Sequence, residues 1–418
     1  MLAILRRIDP ALVLAAALAL LLPLGVLGPR MINVTASVAA ILVALHLVAV
    51  RRPGLPDLAA ALARPAVAIA AALILWGGVS TLWSANPRQS LDIALGLAAI
   101  FGGGYALLAA VDRIGDAART RMGTWFLAGG CAGLVILVAD MLSAGMLRAV
   151  VSGHGFTTFP TYTHLNRLSS IAALVGWVGV AIVWQRRGPR WAWLPALASV
   201  AAMAALEPTT PGAAWLAGAL VFALAWWHAR AAVLLLVGIL VVRAAMVPWF
   251  DVIAAPIEDI VVAHGLQAPL LSFGHRLEIW SFAADMLRDR PLAGWGLDAS
   301  RSIPGGRTLV SIFGTISNSY SEALPLHPHS LTTELWLELG VPGIVLGIAF
   351  ITRVLFAVPA ALPARPARAA ALAMAATAIV IAESSYGVWQ DWWLCNLWLA
   401  TVALVAVCGG RRPVGATP

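Results

Sequence analysis

The chain is dominated by apolar runs long enough to cross a bilayer, and this constrains its fold more than any other feature. Twelve such runs can be drawn, approximately at residues 10–28, 31–50, 66–83, 91–111, 123–146, 167–184, 191–206, 212–227, 231–250, 332–357, 366–386 and 392–409. A hydrocarbon core about 30 Å thick needs roughly 20 apolar residues per helical crossing. Inside it no backbone N–H or C=O can turn to water, so an unbroken apolar run satisfies its hydrogen bonds as a helix. A membrane β-barrel would need short segments alternating residue by residue, and these runs do not alternate. Only 11% of the residues are charged and 61% are hydrophobic, against about 25% charged in soluble domains. The expected class is an all-α integral membrane protein of about twelve transmembrane helices.

Arginine placement orients these helices. The basic residues are all arginine, and seventeen of the 27 fall on the side that holds the N-terminus. Basic loops stay in the cytoplasm, so both termini are expected there. The net charge of +8 then reflects topology, and no nucleic-acid partner is expected. Arg6 and Arg7 precede an apolar run without an obvious small-residue cleavage site, which reads as an uncleaved first span. Cys131, Cys395 and Cys408 all lie inside apolar runs. They suit packed thiols better than a disulfide framework or a metal knuckle.

Three regions follow: nine spans in 1–250, an outer segment in 251–331, and three spans in 332–418. The outer segment carries five arginines and eight acids, a net −3, so no electrostatic funnel draws a polyanion to this face. Any anionic substrate must be held there by individual arginines. Within it, His275–Arg290 spaces Leu277, Trp280, Ala284 and Leu287 three to four apart, opposed by Arg276, Glu278, Asp285 and Asp289. That pattern predicts an amphipathic helix along the membrane surface. Pro291-Leu292-Ala293-Gly294-Trp295-Gly296 ends it, and 298–326 reads as irregular loop. No internal repeat is evident, which disfavours inverted-repeat transporters.

His327 and His329 sit where this polar segment meets the next apolar run. Imidazole titrates near pH 6.5 and suits proton transfer, although an interfacial histidine bonded to loop backbone would look the same. On a continued helix Thr332, Thr333, Trp336 and Gly340 lie below His329 on one face. Gly343 and Gly347 form a small-xxx-small pair that would admit another helix, and Pro342 predicts a kink. Asp140 and Arg243 lie in or near apolar runs and are candidates to pair or to line a cavity.

The motif around His329 goes further. His329-Ser330, nine residues, then Gly340-Val341-Pro342-Gly343 resembles the pattern of the O-antigen ligase and O-antigen polymerase superfamily. His327-Pro328, Glu338-Leu339-Gly340, Ser80-Thr81-Leu82-Trp83-Ser84, and Arg276 to Trp280 with Pro291 to Gly296 resemble further hallmarks in the expected order. The resemblance implies a GT-C-like membrane glycosyltransferase of the bacterial inner membrane, working on the periplasmic side without metal or cofactor. Its donor would be a glycan on undecaprenyl pyrophosphate and its acceptor a sugar hydroxyl of lipid A–core. His329 would be the base and Arg276 the guanidinium holding the departing pyrophosphate. Compact length and the ordered hallmarks favour a ligase. The alternatives are an O-antigen polymerase, with a second lipid-linked glycan as acceptor, and a polysaccharide transporter or flippase.

One departure stands out. The family often carries a Ser-Arg pair at the outer end of an upstream span, and here that stretch is Glu207-Pro208-Thr209-Thr210-Pro211-Gly212-Ala213. Arg167, at the same face, is the expected substitute, with snorkelling to headgroups as the bland alternative. His327 and the polar–aromatic turn holding Glu383, Trp389 and Asp391 are candidates for a sugar or acceptor site, or an interfacial belt.

Overall fold

The computed structural model describes residues 5–51, 55–151, 162–206, 209–314 and 320–410. The apolar runs become helices: α1 Pro10–Leu27, α2 Arg30–Arg51, α3 Leu55–Leu62, α4 Pro65–Val79, α5 Pro87–Val111, α6 Asp116–Leu142, α7 Met146–Val151, α8 Tyr162–Arg187, α9 Pro189–Ala205, α10 Thr209–Met246, α11 Phe250–Ala263, α12 Leu271–Asp289, α13 Leu331–Ala361, α14 Arg365–Ala382 and α15 Asp391–Cys408. Proline opens α1, α4, α5 and α9, where its missing N–H would be unpaired in any case. Asp9 and Asn86 cap α1 and α5 by accepting the amides of Ala11 and Gln89. Helices α8, α14 and α15 are the most enclosed. Around them α1 packs on α6, α9 on α8 and α10 on α14.

Among the described residues ten helices are long and apolar enough to cross a membrane, where twelve runs were expected. Two elements account for the difference. Helix α9, with 17 residues, is not among the ten. The runs at 212–227 and 231–250 are joined in the 38-residue α10. A straight helix of that length would reach about 57 Å, but α10 is interrupted at His228 (φ −134°, ψ 68°). Its partners on α14 show how it runs. Arg365, at the start of α14, lies over Trp226 and Trp227 at 5.8 and 5.7 Å. Thr377 donates to the Ala214 carbonyl at 3.2 Å, and Glu383, just past the helix end, pairs with Arg243 at 3.4 Å. The chain therefore runs along α14, turns at His228 and returns.

The segment between α10 and α13 holds two helices where the sequence pattern marked one. Helix α11 was not anticipated, and α12 starts at Leu271, ahead of the expected His275. Leu277, Ala284 and Leu287 are buried on α12 as the spacing requires, while Trp280 is half-buried. The expected loop contains a short antiparallel pair, Leu309–Ser311 with Tyr320–Glu322, in register Leu309 to Glu322.

The largest correction concerns α13. It is not a continuous rod topped by His329: Gly340 lies at φ 63°, ψ −161° and breaks it. A Cβ on Gly343 would lie 2.8 Å from the carbonyl oxygen of Leu335, and one on Gly347 would lie 2.6 Å from a Leu335 methyl. Residues twelve apart on a straight helix stand about 18 Å apart along its axis, so residues 331–339 fold back along the rest of α13. The Gly343–Gly347 pair accommodates this fold-back and not a separate helix. The break exposes carbonyls that must find donors. Leu337 accepts the Trp295 amide at 3.0 Å, Glu338 the Gly296 amide at 2.8 Å, and Leu339 the indole N–H of Trp76 at 2.8 Å. Gly294, at φ 68°, lets the 291–296 turn approach: a Cβ there would lie 2.3 Å from the Glu338 carbonyl oxygen. Ser80 accepts the Leu297 amide at 3.0 Å, and Trp83 donates to the Ala293 carbonyl at 3.2 Å. Three stretches distant in sequence thus form one junction.

Candidate functional site

His329 stands just before the folded-back half of α13, in a left-handed backbone conformation (φ 53°) uncommon for a non-glycine residue. Its Nδ1 lies 2.6 Å from the carbonyl oxygen of Ser385. A carbonyl can only accept, so Nδ1 carries the proton and Nε2 keeps its lone pair. The imidazole is held well below its ordinary range, at about 4, by burial and by the charges of Arg276 and His275, partly offset by the Ser385 bond. The ring is therefore neutral at pH 7. His327 packs edge-on against it at 4.3 Å between ring centroids, and its Nδ1 accepts the His329 amide at 3.3 Å. Burial and the charges of His329, Arg301 and Arg167 push His327 down to about 3.

Arg276 projects from α12 to the same place. Its Nε donates to the Ser384 carbonyl at 3.0 Å, and its Nη1 to the carbonyl and hydroxyl of Ser272 at 2.9 and 2.8 Å. The imidazole and the guanidinium are thus tied to successive carbonyls, those of Ser385 and Ser384. Sequence reasoning named both residues, and the structure brings them together.

Arg167 lies on the other flank, with its guanidinium 5.5 Å from the Trp392 ring. Its charge acts on His327, not on the Arg276 side. Glu207 and Pro208, in the stretch where a second arginine was sought, lie outside the described residues. The arginine that does reach His329's neighbourhood is Arg243, returned there by the turn of α10. It pairs with Glu383, donates to Ser330 Oγ at 3.1 Å, and lies over the rings of Phe250 and Trp280 at 4.6 and 4.9 Å. Asp140 is paired with Arg148 instead.

The aromatic turn is not an open sugar platform. Trp389 is 9% exposed and donates its indole N–H to Glu338 at 2.7 Å. Glu383 accepts from Ser330, Thr332 and Arg243. Asp391 remains exposed at the start of α15, where it accepts the Trp392 amide.

Beside His327 lies a group the sequence reading missed. Carboxylate atoms of Asp298, Glu334 and Glu338 all lie within 4.8 Å of one another, and all three residues are buried. Such a set could in principle hold a divalent cation. Glu338, however, accepts from Asp298 N, Ser300 N, Ser300 Oγ and the Trp389 indole, which fills the roughly four acceptor positions of a carboxylate. Its arrangement is that of a hydrogen-bonded anchor. Glu334 accepts the Val388 amide at 3.0 Å, and Asp298 the side-chain amide of Gln89 at 2.7 Å. Burial raises Asp298 above the usual carboxylate range, opposed by Gln89 and Arg301. The available signal was two glutamates four apart inside an apolar run, which places both on one helix face where charge is costly.

Residues 209–348 match the family model for O-antigen ligase. A Rickettsia conorii protein with polysaccharide ligase as its provisional name is 30% identical over 38% of this chain and 38% of its own length. A Rickettsia prowazekii protein with the same provisional name is 24% identical over 65% of this chain and 69% of its own length. No solved structure matches significantly. The matched stretch takes in α10, Arg276, the 291–296 turn, His329 and Gly340.

Proposed function

From the premise that this chain is O-antigen ligase-like, we propose that it transfers a glycan from undecaprenyl pyrophosphate to a sugar hydroxyl of lipid A–core at the periplasmic face of the bacterial inner membrane. His329 Nε2 takes the proton of the acceptor hydroxyl. The acceptor oxygen bonds to the anomeric carbon as the bond from that carbon to the pyrophosphate oxygen breaks. The pyrophosphate leaves with the bonding pair, and Arg276 stabilises the charge, since guanidinium binds phosphate oxygens bidentately and stays protonated. One observation carries this reading: His329 Nδ1 and Arg276 Nε are anchored to adjacent carbonyls, which leaves a free imidazole lone pair beside a fixed cation. The ring's neutrality at pH 7 fits the role, since a protonated imidazole could take no proton.

The deciding experiment supplies purified, reconstituted protein with a lipid-linked glycan donor and either lipid A–core or a second lipid-linked glycan. Elongation of lipid A–core supports the ligase, and elongation of the second glycan would replace it with a polymerase. Product formation by His329→Ala at the wild-type rate would remove this residue from the base role. The reading calls for no metal ion, so chelation of divalent cations is expected to leave the rate unchanged.

A further inference from the structure

We infer that Glu383 is a positioning residue, which holds the His329 imidazole in place against Arg276 by tying three separate chain segments together. The inference rests on His329 acting as the base. Glu383, Ser384 and Ser385 follow directly on α14, and their amides still bond back to Ile379 and Ile381. They are therefore fixed to the most enclosed part of the bundle. Carbonyls at a helix C-terminus lack partners within the helix. Here the two next in line accept Arg276 and His329.

The Glu383 carboxylate completes the arrangement. It accepts the Ser330 hydroxyl at 2.9 Å, the Thr332 amide at 3.1 Å and the Thr332 hydroxyl at 3.0 Å, and it pairs with Arg243. Ser330 is both the N-cap of α13 and the neighbour of His329. His329 itself holds a left-handed conformation uncommon for a non-glycine residue, one that persists only where its surroundings over-determine it. The bonds from Glu383 to residues 330 and 332 supply that constraint. Its acceptor positions are filled by protein donors, so it offers little to a sugar hydroxyl. Three elements converge on it: α10 through Arg243, the start of α13 through Ser330 and Thr332, and α14 through its own backbone.

With Glu383 removed, Ser330 keeps only its bonds from Arg243 and its own helix turn, Thr332 loses its acceptor, and His329 is freer to relax to an ordinary backbone conformation. The ring then swings off the Ser385 carbonyl toward solvent. The groups facing it now are His327 from its own segment and Arg276 and His275 from α12, while the Arg243–Glu383 pair bonds to its neighbour Ser330. Histidine C2 hydrogen–deuterium exchange, read by mass spectrometry on the intact chain in detergent, reports the titration midpoint of His329 without reference to activity. Wild type is expected near 4, and Glu383→Ala is expected to move toward the unperturbed value of about 6.5. Glu383→Gln and Thr332→Val, which keep shape and remove fewer bonds, are expected to shift it the same way by less. In the transfer assay Glu383→Ala is expected to lower kcat by about tenfold or more with little change in donor KM, the pattern of a lost transition-state interaction. A midpoint unmoved in both Glu383→Gln and Thr332→Val would overturn the inference, whatever the activity and whether or not Glu383→Ala folds. If wild type transferred nothing while the midpoints still moved, only the transferase reading would fall.

Discussion

Among the described residues two helices are broken, α10 at a histidine and α13 at a glycine, and the two breaks are solved in opposite ways. In α10 the interruption falls at His228, which is exposed and next to the exposed Arg230. Freed backbone groups there can bond to water, and the dihedrals are open to any residue. In α13 the break falls at a buried glycine with a positive φ. Its freed carbonyls accept the amides of Trp295 and Gly296 and the indole of Trp76. A break among polar residues needs no partner, whereas one inside apolar sequence persists only when other segments supply its hydrogen bonds. The second kind recruits distant chain, here Trp76 and the 291–296 turn.

The largest expected contrast separates the two histidines. His329→Ala should lower transfer by about 10²- to 10⁴-fold, the usual span for a general base, while His228→Ala should leave it within about twofold. Initial rates with reconstituted protein check both. Next come the break residues. Gly340→Ala forces a Cβ to 2.1 Å from the Leu292 carbonyl oxygen at φ 63°, and a loss of about 2 kcal/mol or more follows from strain at such a position. His228→Gly should change stability by well under 1 kcal/mol. Thermal unfolding in detergent distinguishes them. Trp76→Phe keeps the ring but strands the Leu339 carbonyl, a cost of about 1–3 kcal/mol for a buried unpaired acceptor.

A further contrast is in pH dependence. His329 and His327 titrate near 4 and 3 in the folded protein, below the 6.5 or so of an unfolded chain. The unfolded state therefore binds more protons between these values. Their contribution to stability is complete above about pH 6.5 and is lost as the pH falls toward 3. Glu278, raised to about 7 by burial and by Glu258, runs the other way: its contribution is complete below the unfolded carboxylate range and is lost as the pH rises through 7. The acid limb of the rate profile should thus lie near 4. A limb near 6.5 would mean an imidazole free of its surroundings.

The helical membrane character was legible because bilayer physics leaves little choice for such runs, while His329 and Arg276 were singled out by the resemblance and lie against adjacent carbonyls. What periodicity could not reveal was the reversal at Gly340, since the residues on both sides are equally apolar and helical in pattern. For the same reason α11 passed unmarked. Arg243 was a candidate to pair, with Asp140 in view, because its partner, Glu383, lies 140 positions away. Trp389 read as part of a sugar site or an interfacial belt because an aromatic beside polar groups reads alike whether it faces outward or donates inward to a buried glutamate.

The fold-back of α13 also uncouples residue number from depth. Leu331 packs against the cluster that includes Leu355, while Gly340 meets the 291–296 turn. A scan of single cysteines from 329 to 350 should therefore not show reactivity toward a membrane-impermeant thiol reagent declining steadily along the chain. It should stay low through the buried residues 337–340, appear at the exposed Val341 and fall again at 343 and 344, a profile that a reporter-fusion map would misread as an extra loop. The half-buried histidine at the foot of this hairpin is more open than the buried glycine at its tip, and so the size of a probe, not only its charge, would measure how recessed the chemistry is.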